Sequence, residues 1–285
     1  MQLWVSINIA TMIKTSYIAP TSLIELYSNR GDFHLTLAHL LEKEETTEYE
    51  KQILESGKPI YLDNGLFENG ESVPLEDLIE HACRLNAVYV FAPDVLYNSE
   101  ETLKNIEPAY NLLQKKNKEW GTNVKLAAVP QAGSYFDYLQ CLMQMNQDEK
   151  ISLIGLSILS IPKSFEEILG VWNVSMSRLL LLRTMLESQV RFKDCHLLGA
   201  GSSYVDVSYA AKNCSFVKSH DSSSAIWNGV QEHIIKADGD LDKGKTSVHV
   251  DFNFEEALSE VQMSAIEHNI DMVDILTQRV LPQSS

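Results

Sequence analysis

The sequence contains no apolar run that approaches the roughly 20 residues needed to cross a lipid bilayer. Residues 1–8 also lack the basic region with which a secretory signal begins. Both absences argue against export and against membrane insertion. We therefore expect a cytoplasmic protein that has no membrane partner.

Cysteine is scarce and scattered along the chain. The 4 cysteines include no Cys-x-x-Cys pair, and none follows Cys214. The spacing typical of structural zinc sites and of disulfide frameworks is therefore absent. Isolated cysteines of this kind usually pack as small apolar residues. We expect no disulfide, no bound metal and no cofactor.

Positive charge is also in short supply. Lysine and arginine together number 23 against 39 aspartates and glutamates, which gives a formal net charge of −16. Broad, nonspecific binding to nucleic acid needs a basic surface, so this balance argues against it. Two groups of basic residues are present, and the simpler interpretation of each is a solvated helix face: Lys115, Lys116 and Lys118, and Arg178, Arg183, Arg191 and Lys193.

What the chain does have is apolar sequence in a regular arrangement. Hydrophobic residues make up 45% of its 285 residues, enough for one large core. Short β-branched or aromatic runs alternate with helical patterns at intervals of roughly 30 residues, the length of one βαβ unit. This alternation predicts a single domain of the α/β class, a (β/α)8 TIM-like barrel over residues 1–285. The eight strand candidates are residues 33–37, 60–62, 88–91, 124–129, 151–156, 196–198, 216–218 and 247–250.

The segments around these strands complete the prediction. Residues 1–30 precede the first strand candidate, and we expect them to form a short N-terminal extension, either a strand pair or a lid. The sequence further predicts an acidic helix at residues 42–55, a helix with Pro74 in its first turn, and a helix capped by Ser99. The stretch 161–191 is longer than one crossover requires and is predicted to hold two helices.

Polar residues follow most of the strand candidates. Barrel enzymes carry their chemistry on the loops that follow the strands, and the residues there are Asp63, Asp94, Gln131, Ser157, Gly199, Gly201, Asp221 and Asp251. Carboxylates crowded at one mouth repel each other, so some of them must be paired or protonated. The alternative, that Asp94 or Asp251 only caps the helix that follows it, stays open at this point.

Several of these features resemble, in type and order, the motifs of the tRNA-guanine transglycosylases. Residues 63–68 read Asp-Asn-Gly-Leu-Phe-Glu, where the family has Asp-Ser-Gly-Gly-Phe-Gln. Then come Asp94, Val-Pro-Gln at 129–131, Gly-Leu at 155–156, Leu-Gly-Ala-Gly at 198–201 and, 20 residues later, Asp221. The resemblance covers residues 33–225. Residues 33–39 and 62–65 look most like the shorter, phage-type enzymes that insert 7-deazaguanine bases into DNA.

The resemblance implies an activity and a role for each matching residue. Guanine in a polynucleotide, DNA rather than tRNA, would be exchanged for a free, queuosine-related 7-deazaguanine base through a covalent intermediate. The resemblance assigns the nucleophile to Asp221 and the proton transfer to Asp63. The expected substrate-binding residues are Asp94, Gln131, Phe67, Gly155, Ser157, Gly199 and Gly201. An acidic enzyme of this kind would need a helper protein with a basic surface, and a phage-encoded one would work in the host cytoplasm.

The sequence departs from the family at several positions. The tRNA enzymes carry zinc-binding cysteines near the C-terminus, and this chain has no cysteine there, so we expect no zinc subdomain. Leu66 and Glu68 stand where the family has Gly and Gln, and Leu159 stands where it has Gly. These three positions belong to the segments that would form the base pocket.

Two other classes of function stay open. A metal-dependent barrel hydrolase would use histidines and carboxylates such as His220, His249 and Asp251, and tight zinc binding would favour it. A barrel that binds a nucleobase or a partner protein without turnover is compatible with the altered Leu66 and Glu68. Such a binding protein would form no covalent adduct, whereas the transglycosylase would.

Overall fold

The computed structural model describes residues 13–201, 203–242 and 250–277. Eight parallel strands form one sheet in which β1 pairs with β8, and from β2 to β8 each strand pairs with the next one in the chain. Helices alternate with the strands, which confirms the (β/α)8 TIM-like barrel. The strands are β1 Lys14–Tyr17, β2 His34–Leu37, β3 Ile60–Asp63, β4 Tyr89–Phe91, β5 Lys125–Ala128, β6 Leu153–Ser157, β7 Cys195–Leu198 and β8 Val217–Ser222.

The helices lie between the strands in the order expected of a barrel. Their bounds are α1 Glu48–Glu55, α2 Leu66–Asn69, α3 Leu75–Arg84, α4 Ser99–Lys104, α5 Ile106–Trp120, α6 Tyr135–Gln147, α7 Ser160–Leu169, α8 Val174–Glu187, α9 Val205–Asn213, α10 Ser224–Val230 and α11 Glu260–Thr277. The two helices predicted in residues 161–191 are confirmed as α7 and α8. Within the described ranges, no helix is both long enough and apolar enough to cross a membrane.

Capping side chains fix where several helices begin. The acidic helix predicted from residue 42 starts only at Glu48, because Thr47 caps it by accepting a hydrogen bond from the Glu50 N–H at 3.2 Å. Pro74 immediately precedes α3, close to its predicted place. The cap of α4 is Asn98 and not Ser99, since the Asn98 side chain accepts from the Glu101 N–H at 3.0 Å. Ser99 is the first residue of that helix instead.

The first and last strand candidates need correction. The strand β1 lies inside residues 1–30, which we expected to precede the barrel, so the candidate at 33–37 is the second strand. The sequence hides β1 because Thr15 and Ser16 are polar, although both are buried. Thr15 Oγ1 lies 2.9 Å from the buried His220 Nε2, so this strand is stabilised by polar contacts. The candidate at 247–250 lies outside the described residues except for Val250, which is not in a strand.

The barrel closes between β1 and β2 without a regular ladder in the part of the chain that the structure describes. The Asp32 N–H donates to the Thr15 carbonyl oxygen at 2.7 Å, and the Thr15 N–H donates to Asp32 Oδ2 at 2.9 Å. The Leu35 N–H donates to the Ser16 hydroxyl oxygen at 2.8 Å. Side chains therefore satisfy backbone groups that a strand ladder would otherwise pair.

A buried ion pair joins two outer helices to the end of β7. Arg178 in α8 and Asp206 in α9 are both 0% exposed, and the Arg178 Nε donates to Asp206 Oδ2. The Arg178 Nη1 also donates to the carbonyl oxygens of Gly199 at 2.8 Å and Leu198 at 3.2 Å. The expectation that Arg178 belongs to a solvated helix face is therefore wrong. The sequence did not indicate that Asp206 would lie next to Arg178.

We expect Arg178→Met to lower the free energy of unfolding by about 3–5 kcal/mol, because it leaves the Asp206 carboxylate buried without its partner. Urea denaturation measures this loss. Arg183→Met is the matched control on the same helix, since Arg183 is exposed, and it should change stability by about 1 kcal/mol or less. The double variant Arg178→Met/Asp206→Leu should recover most of the loss. Equal losses in both single arginine variants would contradict this account.

Candidate active site

A cavity of about 390 Å³ opens at the carboxyl ends of the barrel strands. Seven of the residues expected from sequence line it: Asp63, Phe67, Asp94, Gln131, Ser157, Gly199 and Asp221. These residues come from segments that are far apart in the chain, and the parallel barrel brings them to one end. Other polar and aromatic lining residues were not anticipated as site residues, among them His39, Asn64, Glu68 and Phe252.

Three of the expected positions do not line the cavity. Gly155 lies within β6 against the barrel interior, where an added Cβ would come within 2.6 Å of Leu198 Cδ1. An added Cβ at Gly201 would lie 3.1 Å from Val174 Cβ, so this glycine allows α8 to pack closely. Asp251 is exposed, and its Oδ1 accepts a hydrogen bond from the Asn253 N–H at 3.0 Å. The two glycines are therefore packing residues.

Asp63 is the last residue of β3, and a tight turn follows it. Gly65 has a φ of +80°, a conformation that favours glycine, and its N–H donates to Asp63 Oδ2 at 2.9 Å. Burial raises the pKa of Asp63 to about 7, and the charges of Asp221 and Asp94 act in the same direction. A carboxyl group with this pKa can both hold and release a proton near neutrality.

Asp94 is the centre of a buried hydrogen-bond network. Its Oδ1 accepts from the Asn64 Nδ2 at 2.6 Å, and its Oδ2 accepts from the Gln131 Nε2. The Gln131 Oε1 in turn accepts from the Tyr97 N–H at 3.3 Å. Burial raises the pKa of Asp94 to about 6, although the two amide donors oppose that rise. Each carboxylate oxygen retains a lone pair that a ligand N–H can use.

Asp221 is oriented by two donors that contact the same oxygen. The His196 Nε2 lies 2.9 Å from Asp221 Oδ1, and the Gly199 N–H donates to that oxygen at 3.1 Å. These contacts leave Oδ2 as the oxygen available to a ligand. Gly199 was expected to bind substrate, but its N–H is committed to Asp221. Gly199 adopts a φ of +71°, which suits a glycine.

His196 is a further residue of the site that the sequence did not reveal. It is completely buried on β7, its Nδ1 lies 2.8 Å from the Ser219 hydroxyl, and the rings of Phe33 and Phe91 pack around it. A proton on Nε2 satisfies both contacts, because Nε2–H then donates to Asp221 and Nδ1 accepts from Ser219. His196 pairs in register with Ser219, and Asp221 lies two residues further along β8 on the same face. Pairing of β7 with β8 is the signal that would have revealed it.

Glu68 and His39 form a second polar pair at the cavity. The Glu68 Oε2 lies 3.8 Å from the His39 Nδ1, and their side chains are 20% and 14% exposed. Burial and, to a lesser extent, the charges of Asp63 and Asp221 raise the pKa of Glu68 to about 8. Burial also lowers the pKa of His39. Near neutrality both side chains are therefore mainly uncharged in the absence of a ligand.

The alternative function, a metal-dependent hydrolase, requires a group of metal ligands. Within residues 13–201, 203–242 and 250–277, no three His, Cys, Asp or Glu side chains are grouped so as to hold a metal ion. His220 does not line the cavity, and burial lowers its pKa to about 3. His249 lies outside the described residues.

We expect Asp221→Asn to lower the pKa of Asp63, because a negative charge that disfavours ionisation of Asp63 is removed. Carbon-13 NMR of the Asp63 carboxyl group, followed against pH, should give a midpoint near 7 in the parent protein. Asp137→Asn removes an exposed carboxylate on α6 and should leave that midpoint unchanged. A midpoint that does not move in Asp221→Asn would contradict the coupling between the two carboxyl groups.

Comparison with known proteins adds no functional information for this chain. No protein-family model matches it, and no curated protein matches it at a significant level. The barrel fold hosts many unrelated chemistries, so the fold does not name an activity either. What this protein does has to be inferred from the residues around the cavity.

Proposed function

We propose that this protein is a base-exchange transglycosylase, which replaces guanine in a polynucleotide, DNA rather than tRNA, with a 7-deazaguanine derivative. One observation carries most weight. Asp63 and Asp221 line the same cavity but differ in surroundings, since Asp63 has a pKa of about 7 and Asp221 is oriented by His196 and Gly199. Two carboxyl groups in unlike environments suit a reaction that needs one nucleophile and one proton carrier.

In the first half of the reaction, Asp221 is the nucleophile. Its free carboxylate oxygen attacks the anomeric carbon, the bond from that carbon to guanine N9 breaks, and the bonding electrons leave with the base. Asp63 donates its proton to the departing guanine, which then leaves as a neutral molecule. The sugar stays attached to Asp221 as an ester, with inverted configuration at the anomeric carbon.

The second half runs in reverse with a different base. Asp63, now ionised, takes the N9 proton of the incoming 7-deazaguanine while that nitrogen attacks the anomeric carbon. The ester bond to Asp221 breaks, and its electrons restore the carboxylate. Two inversions give net retention, as in retaining glycosidases. No redox step and no cofactor is needed for this balance.

Base recognition falls to the network around Asp94. The Asp94 carboxylate accepts hydrogen bonds, which matches the ring N–H and amino donors on the edge of guanine. Asn64 and Gln131 hold it by one donor at each oxygen. The second hydrogen on the Gln131 Nε2 can donate to a base carbonyl oxygen, and the aromatic ring of Phe67 lines the cavity where the base would stack.

The polymer has to present an unpaired nucleotide. A base inside a duplex cannot reach such a cavity, so the substrate would be single-stranded or flipped. The net charge of −16 opposes binding to phosphates. A helper protein that contributes a basic surface would remove this difficulty, and we expect activity on duplex DNA to fall steeply with salt concentration.

We expect Asp221→Asn to abolish exchange, because a neutral amide neither attacks the anomeric carbon nor balances the developing positive charge. Asp63→Asn should reduce turnover by roughly 10²–10⁴-fold, the usual worth of general acid–base catalysis, while still allowing an adduct with a good leaving base. Binding of free base should persist in both variants, since Asp94 and Gln131 are intact. The measurements are release of labelled guanine from DNA and RNA with candidate 7-deazaguanine bases present, and denaturing gels that detect the protein–nucleic acid adduct.

The exposed Asp137→Asn variant serves as the control and should keep full activity. An adduct that persists in Asp221→Asn and vanishes in Asp63→Asn would reverse the two roles. Absence of both adduct and label release in the parent protein would refute base exchange and favour a non-catalytic binding barrel.

Activity should also survive removal of divalent metal. The proposed steps use only carboxyl groups, and the described residues offer no cluster of metal ligands. After incubation with a chelator, the rate of guanine release should be almost unchanged. One tightly bound zinc per chain, lost together with activity, would instead support the metal-dependent hydrolase.

A further inference from the structure

Two buried acceptor atoms at the cavity have no hydrogen-bond partner among the described residues. Glu68 Oε2 and His39 Nδ1 are inaccessible to solvent and receive no hydrogen bond from residues 13–201, 203–242 or 250–277, although they lie 3.8 Å from each other. Buried polar atoms are nearly always hydrogen-bonded, and each exception calls for an explanation. Both residues line the cavity, so a bound ligand is the natural source of the missing donor.

The charge around these atoms indicates what kind of donor fits. Four carboxyl groups line the cavity, those of Asp63, Glu68, Asp94 and Asp221, and the described lining residues include no lysine or arginine. Asp94 is paired with amides and Asp221 with His196 and Gly199, so among the described residues no lysine or arginine offsets these groups at the cavity. Any of these carboxyl groups that ionises is therefore left for a ligand to balance.

A protonated amino group satisfies these conditions. It has three N–H donors and no acceptor, so one group can donate to both Glu68 Oε2 and His39 Nδ1. Because burial keeps His39 neutral, Nδ1 can act as an acceptor when the ring proton is on Nε2. A metal ion fits less well, since the described residues offer no third ligand beside this pair.

We propose that Glu68 and His39 form a subsite that binds a protonated amino group of the ligand. Under the proposed function, that group is a cationic substituent on the incoming base, and this part of the inference rests on the proposed function. The raised pKa of Glu68 is consistent with the subsite, because the carboxyl group lacks a positive neighbour until a ligand supplies one. Glu68 would then select a cationic base over a neutral base of the same size.

The test uses two aromatic probes of nearly equal size, benzylammonium and the neutral benzyl alcohol, so it does not depend on base exchange. Each is titrated at 150 mM salt, which screens nonspecific attraction to an acidic protein, while NMR follows the His39 ring. The parent protein should bind benzylammonium at least tenfold more tightly than benzyl alcohol, with a shift of the His39 signals. Glu68→Gln should reduce that preference at least fivefold without changing the affinity for benzyl alcohol.

Two further variants control for folding and for bulk charge. Glu71→Gln removes an exposed carboxylate three residues away and should leave the preference intact. His39→Leu removes the second acceptor and should weaken benzylammonium binding, which provides an independent reading if Glu68→Gln is unstable. Thermal melts of all variants check that the barrel is folded.

The outcomes separate this inference from the proposed function. Equal binding of the two probes would overturn the subsite, and so would an ammonium preference that persists undiminished in Glu68→Gln, which would place the cation at the aspartates. A preference for benzylammonium that depends on Glu68, in a protein that releases no guanine, would keep the subsite and refute base exchange. Guanine release by a protein that shows no preference between the probes would support base exchange and refute the subsite.

Discussion

The geometry of the site depends on the hydrogen bonds that hold Asp221. His196 and the Gly199 N–H both contact Asp221 Oδ1, and the Gly199 carbonyl oxygen accepts from the buried Arg178. Arg178 is itself fixed by its ion pair with Asp206 in α9. An unbroken series of buried polar contacts therefore runs from an outer helix to the carboxylate. Because an unpaired polar group costs so much in a low-dielectric interior, each member of this series restricts the next.

The three aspartates that line the cavity differ in their neighbouring groups. Asp94 accepts from two side-chain amides and has a pKa of about 6. Asp63 accepts from a backbone N–H, faces the charges of the other two aspartates and has a pKa of about 7. Asp221 alone is adjacent to a histidine. Three identical side chains thus have different surroundings, because desolvation, charge and hydrogen bonding act on each in different proportion. Under the proposed function, these differences assign their tasks.

Much of this arrangement could be predicted from the sequence, and the predictions that failed did so for physical reasons. Seven strands were predicted close to their places from apolar runs, and Asp63, Asp94, Gln131 and Asp221 line one cavity as expected. The strand β1 was missed because Thr15 and Ser16 are stabilised by polar partners that lie elsewhere in the chain. His196 and Arg178 were missed for the same reason: their partners, Asp221 and Asp206, are adjacent only after the barrel has closed.

The residues of the site lie on elements of different rigidity. Asp63 and Asp221 lie on strands, the most rigid elements of a barrel, and under the proposed function they define where a reacting atom is placed. Glu68 lies on α2, a single turn that begins after Gly65 and ends before Gly70, both with positive φ. Such a short turn can accept substitution without moving the strands. Under the proposed subsite, changes at Glu68 and its neighbours would therefore alter which ligand is selected while leaving Asp63 and Asp221 in place.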